Sequence, residues 1–144
     1  NSLLIACTKV GINISFGGPK EYQPQKDILQ KGNLNSEYSG SKILITQDPQ
    51  EAIEDADIVY TDVWTSMGQE EEALRRYEVF FPFQVNKELF SQAKADSIFL
   101  HCLPAHCGEE VTKEVIEGKN SMVFEEAENR LHVQKAIMAL LMGD

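Results

Sequence analysis

The sequence is short of positive charge. Its 144 residues carry 13 Lys and Arg against 23 Asp and Glu, a formal charge of −10 at pH 7. A surface of that sign is repelled by phosphate backbones and anionic lipid, so neither nucleic acid nor a membrane is expected as a partner. No apolar run approaches the roughly 20 residues that span a bilayer. Cysteine is sparse and odd in number. Cys7, Cys102 and Cys107 make no disulfide framework and fit a reducing, cytoplasmic setting. Gly17-Gly18-Pro19 lacks the spacing of either nucleotide-binding glycine fingerprint. There is no internal repeat, low-complexity tract or inner domain boundary. Neither a signal peptide nor an initiator Met opens the chain: Asn1 to Cys7 starts inside an apolar, helix-like run, which points to a fragment.

What is present is ordinary globular composition, 42% apolar and 25% charged, enough for one domain over residues 1–144 with one core. The pattern predicts a helix over 1–10 with Leu3, Leu4, Cys7 and Val10 on one face, ended by Gly11. Strands follow at 12–16, 42–46, 58–60, 97–100 and 121–124. Between them lie a short helix at 25–31 followed by a polar, turn-rich stretch to Gly40, and a helix begun by Asp48-Pro49-Gln50-Glu51. Charged residues 65–82 include Glu70-Glu71-Glu72, read as a solvated face. Further helices are expected at 86–94, 109–117 and 126–142, the last with Leu131, Ile137, Met138 and Leu141 inward. Alternating short apolar strands and helices imply an α/β fold, a doubly wound parallel sheet of Rossmann-like type. Such folds bind ligands beyond the carboxyl ends of their strands.

Three segments sit at such ends. Asp62-Val63-Trp64-Thr65-Ser66-Met67-Gly68 can hold an ammonium group on Asp62 and an anion on Ser66 and nearby N–H groups, although an Asp there also caps turns. His101-Cys102-Leu103-Pro104-Ala105-His106-Cys107 offers a small core cysteine, and an X–Pro bond that tolerates cis. Its two His and two Cys invite a metal reading, but neighbours on extended chain point opposite ways, which hinders convergence. Glu125 to His132 opens the last helix. Arg130 there is either a surface salt-bridge partner or a holder of a carbonyl or phosphate oxygen.

Together the Asp62–Gly68 stretch, His101-Cys102-Leu103-Pro104, Glu128-Asn129-Arg130 and the loop Pro19-Lys20-Glu21-Tyr22-Gln23-Pro24 resemble the ornithine carbamoyltransferase family, in its second, ornithine-binding domain. The resemblance runs over nearly all of the chain. It implies transfer of the carbamoyl group of carbamoyl phosphate to the side-chain amine of ornithine, giving citrulline and phosphate, as in arginine biosynthesis. A related carbamoyltransferase with another amine or amino-acid acceptor is the alternative. By the same resemblance Asp62, Cys102 and Arg130 are catalytic, and Asp62, Ser66, Met67, Cys102, Leu103 and Arg130 bind substrates. The Leu103–Pro104 bond is expected to be cis. No metal or organic cofactor is implied, and the parent enzyme is expected to be a homotrimer or higher homo-oligomer. Two departures stand out. The family's strand before Asn1 is absent, as is its first domain, so the fragment is expected to be inactive alone. Cys107 also stands where close relatives often carry Arg.

Overall fold

The structure, a computed structural model, describes residues 1–65, 68 and 70–143. Its contacts divide the chain into two compact units, Asn1–Glu54 and Asp55–Asp144.

In the first unit, helix α1 (Ser2–Val10) ends as expected at Gly11, whose φ of 82° is a left-handed conformation that an L side chain resists. Of the expected face Leu4 is buried and Cys7 half-buried, but Leu3 and Val10 are exposed and Thr8 is buried in their stead. Thr8 buries cheaply because its hydroxyl donates to the Leu4 carbonyl at 2.8 Å and accepts from Asn35. Strand β1 (Ile14–Gly17) pairs in parallel with β2 (Ile43–Thr46), Ile14 opposite Ile43. Helix α2 (Lys26–Ser39) makes the crossover.

That helix corrects the expected loop after residue 31. Gly32 lowers helix propensity, yet it is buried because α1 approaches closely there. A Cβ on Gly32 would meet Leu4 Cδ2 at 2.5 Å and Ile43 Cδ1 at 3.0 Å. Tertiary packing overrides the local preference. Helix α3 (Pro49–Ile53) starts as its sequence dictates, with the Asp48 carboxylate accepting from Gln50 N–H at 2.9 Å. Glu51 turns instead to the Thr46 hydroxyl.

In the second unit, β3 (Ile58–Thr61) pairs in parallel with β4 (Ile98–His101). Between them come a 3-10 turn at Glu70–Glu72, α4 (Ala73–Phe80) and α5 (Lys87–Phe90), then α6 (Lys113–Ile116) and α7 (Val123–Met142) after β4. Phe99 is fully buried, meeting Phe90 edge-on at 6.2 Å. Burying such a ring contributes about 1.5–3 kcal/mol. Val111 and Val123 complete this core.

The expected helices at 86–94 and 109–117 shorten to Lys87–Phe90 and Lys113–Ile116, and two further expectations fail in this unit. The fifth strand at 121–124 narrows to a single parallel bridge, Ser121 to Phe99, because Phe99 completes both backbone bonds with Asn120 and Met122 and the chain then coils into α7. In α7 only the start is buried, at Val123. Leu131, Ile137, Met138 and Leu141 are 49–80% exposed, not inward. Apolar periodicity marks a helix but does not say what it packs against. The parallel strands linked by helices are nevertheless the α/β class expected from the sequence.

Candidate active site

Register builds the site. Because Thr61 lies opposite His101 in the β3–β4 ladder, the next residues, Asp62 and Cys102, leave the carboxyl ends side by side. The Cys102 thiol donates to Asp62 Oδ1 at 3.0 Å, and the same oxygen accepts the Val63 N–H at 2.7 Å. Asp62 stays exposed, as a carboxylate must if it is to meet a solvated cation. Its own loop is anchored two residues on by Trp64, which is buried against Tyr77 and Phe80. Arg76 donates to the Trp64 carbonyl at 3.1 Å while pairing with Glu72.

The bridge at Ser121 brings the start of α7 to the same end. Glu126 Oε2 accepts the His101 N–H at 3.0 Å. Tyr60, two residues before Asp62 and so on its face of the strand, neighbours Cys102 and Glu126. Electrostatics follows from this acidic grouping. Burial first, then the hydrogen bond to Asp62, pushes the Cys102 thiol above its ordinary value. Burial, then the charge that Cys102 would carry once ionised and that of Glu126, pushes the Tyr60 hydroxyl up as well. A thiol held protonated is a poor nucleophile. The cluster is suited to receiving a cationic amine rather than to covalent catalysis by sulfur.

Of the residues singled out from sequence, Asp62 and Cys102 are in contact, and Leu103 follows Cys102 with a φ of 52° and a cis bond to Pro104. Arg130 is exposed, one helical turn beyond Glu126 on the face that meets His101, and makes no ion pair among the described residues. Ser66 and Met67 lie outside the described residues. The four-residue metal reading does not assemble, since both ring nitrogens of His101 are engaged within the loop and the Cys102 sulfur faces Asp62. His106, Glu109 and Glu110 do place one potential ligand atom each within 4.8 Å of one another.

Sequence reasoning passed over Tyr60, Glu110 and Glu126. The strand period could have flagged Tyr60 beside Asp62, and the first turn of a helix at a strand end could have flagged Glu126. Nothing local distinguishes buried Glu110 from its half-buried neighbour Glu109. An open cavity of about 470 Å³, lined by Lys87, Phe90, Val115 and Lys119 among others, shares no residue with this cluster. The convergence of polar groups, not cavity size, marks the site.

Residues 1–141 match the family model described as aspartate/ornithine carbamoyltransferase, Asp/Orn binding domain. An ornithine carbamoyltransferase of Thermococcus kodakarensis is 54% identical over 143 residues, covering 99% of this chain and 45% of that protein. The solved ornithine carbamoyltransferase from Pyrococcus furiosus superposes with a TM-score of 0.93 at 51% identity, over 99% of this chain and 45% of that one. A solved N-acetyl-L-ornithine transcarbamylase gives a TM-score of 0.84 at 30% identity, over 97% of this chain and 43% of that one. The chain thus spans less than half the length of the curated relatives it matches.

Proposed function

Because the chain belongs to the aspartate/ornithine carbamoyltransferase family, as its Asp/Orn binding domain, we propose that it is the amino-acid-binding part of an ornithine carbamoyltransferase. The whole enzyme moves the carbamoyl group of carbamoyl phosphate onto the side-chain amine of ornithine, giving citrulline and phosphate. The observation that carries this reading is the contact between Asp62 and Cys102 at the strand ends, in a chain 54% identical to a relative named ornithine carbamoyltransferase.

In this reading Asp62 takes the substrate's ammonium, and Ser66 and Met67 contact its amino-acid end. Tethering that end fixes the side-chain amine near the carbamoyl carbon. The amine attacks in its neutral form, and the Cys102 thiol, whose pKa burial and the hydrogen bond to Asp62 raise, lies beside it without competing as a nucleophile. The carbonyls of Cys102 and Leu103 accept from the carbamoyl amide, and Arg130 holds the carbonyl oxygen as it gains charge. The bond from the carbamoyl carbon to the phosphate oxygen then breaks, and the departing phosphate takes the proton that the amine gives up. No metal or organic cofactor takes part. The parent enzyme assembles as a homotrimer or higher homo-oligomer and works in the cytoplasm in arginine biosynthesis, a role supported by a 51% identical relative named as anabolic.

The second reading, another amine acceptor, has a specific motive in the likeness to N-acetyl-L-ornithine transcarbamylase. Product assays on the full-length enzyme with carbamoyl phosphate and either ornithine, N-acetylornithine or putrescine separate the two. Citrulline formation from ornithine, lowered about ten- to a hundredfold by Asp62→Asn through loss of a charge-assisted contact, is the expected result. Preference for another acceptor, or kinetics indifferent to Asp62, overturns it.

A further inference from the structure

Between β4 and α6 the chain makes a loop whose two ends converge on one carboxyl group. Glu110 is fully buried, and so is His101. Glu110 Oε1 accepts the His106 N–H at 2.6 Å and lies 3.2 Å from His101 Nε2. The other ring nitrogen, Nδ1, is 2.9 Å from the Leu103 N–H. A backbone N–H can only donate, so Nδ1 is the bare nitrogen and the ring proton sits on Nε2, aimed at Glu110. Three bonds therefore run in series: Leu103 N–H to His101, His101 to Glu110, and His106 N–H to Glu110. They tie residues 101, 103 and 106 to one fixed point.

The point itself is held. The Glu110 carbonyl accepts from Val85 N–H at 2.9 Å, and Gln84 donates to the carbonyls of Gly108 and Glu109. Leu103 needs this support, because its φ of 52° lies in the left-handed region that L residues with a Cβ avoid. A carboxyl group buried with one oxygen, Oε2, lacking a partner among the described residues is a costly core residue. A hydrophobic side chain of similar size is often as stable, so stability alone does not account for an acid here.

We propose that Glu110 is a positioning residue. By fixing the tautomer and orientation of His101, it presents the Cys102–Leu103 backbone carbonyls to the substrate. This rests on the proposed carbamoyl transfer for its kinetic consequence, but the clamp can be tested apart from it.

The test compares Glu110→Gln and Glu110→Leu in the full-length enzyme. Gln keeps an acceptor oxygen at the same reach and is expected to keep kcat within about threefold. Leu keeps the volume but removes the acceptor, and is expected to lower kcat about a hundredfold, the scale of a misplacement near 1 Å. The KM for ornithine should stay within about threefold, because Asp62 is untouched. Amide exchange should show the Leu103 and His106 N–H groups protected in wild type and exposed in the Leu variant, with the Phe99 amide unchanged. Nitrogen-15 spectra of the His101 ring should place the proton on Nε2. A folded Leu variant with normal kcat, or with lost turnover but intact Leu103 protection, overturns the proposal. If the Leu variant does not fold, the wild-type ring decides: a proton on Nδ1 overturns it, and one on Nε2 with a protected Leu103 amide supports it. If the wild-type enzyme makes no citrulline, the functional reading has failed while the exchange and nitrogen data still judge the clamp.

Discussion

The sulfur of Cys102 lies 3.0 Å from Oδ1 of Asp62, a hydrogen bond between residues 40 apart in sequence. The thiolate is the form that alkylates, and burial together with Asp62 favours the thiol. Raising the pKa lowers the thiolate fraction at any pH below it, so Cys102 should react slowly at pH 8 and its rate should rise only above the range of a free cysteine. Asp62→Asn removes the charge that holds the proton, which moves the profile down and speeds alkylation at pH 8 several-fold. Iodoacetamide labelling mapped by mass spectrometry separates Cys102 from exposed Cys107 and from Cys7. A faster Cys102 in wild type than in Asp62→Asn contradicts the assignment.

Arg130 offers a test of fork geometry. In the full-length enzyme, Arg130→Lys keeps the charge but replaces a planar, bidentate donor by a point ammonium. Turnover should fall on the order of a hundredfold or more if Arg130 stabilises the developing oxyanion. Steady-state assays at saturating substrates read this directly. Near-normal turnover would leave Arg130 as an exposed helix residue with no part in the chemistry.

Gly32 is a packing prediction. Ala inside a helix is ordinarily better than Gly by about 0.5–1 kcal/mol. Here its methyl would press on Leu4 and Ile43 together, and overpacking costs about 1–3 kcal/mol. Crowding wins, so Gly32→Ala should destabilise the chain by about 1 kcal/mol in urea denaturation. Against a Leu4→Ala background the same change should turn neutral or stabilising. Equal effects in both backgrounds would show that the two sites do not touch.

The 144-residue chain alone should form no citrulline. It spans 45% of a curated relative's length and carries few cations to hold a phosphate, 13 Lys and Arg against 23 acids. A chain unable to hold both substrates loses the benefit of positioning, up to about 7–11 kcal/mol. Turnover by the purified chain, free of host enzyme, would show that the phosphate site lies within it.

Four of the five expected strands were legible because each is a short apolar run, such as Ile43-Leu44-Ile45, bounded by polar or turn residues, and their ends carried Asp62 and Cys102 in plain view. What the sequence could not convey was set by contacts at a distance. Helix α2 continues past Gly32 because Leu4 packs there. Burial of Glu110, one residue from half-buried Glu109, depends on where His101 and His106 come to rest. The apolar residues of α7 fixed its helical period but not its burial.

The packing of Trp64 turns the site into its own reporter. It is the one tryptophan of the chain, 5% exposed and stacked on Phe80 two residues after Asp62. All intrinsic emission excited at the red edge of the absorption band therefore comes from a single ring on the Asp62 loop. Any rearrangement of that loop shifts the wavelength and intensity of that emission, so the loop can be followed in solution without a label.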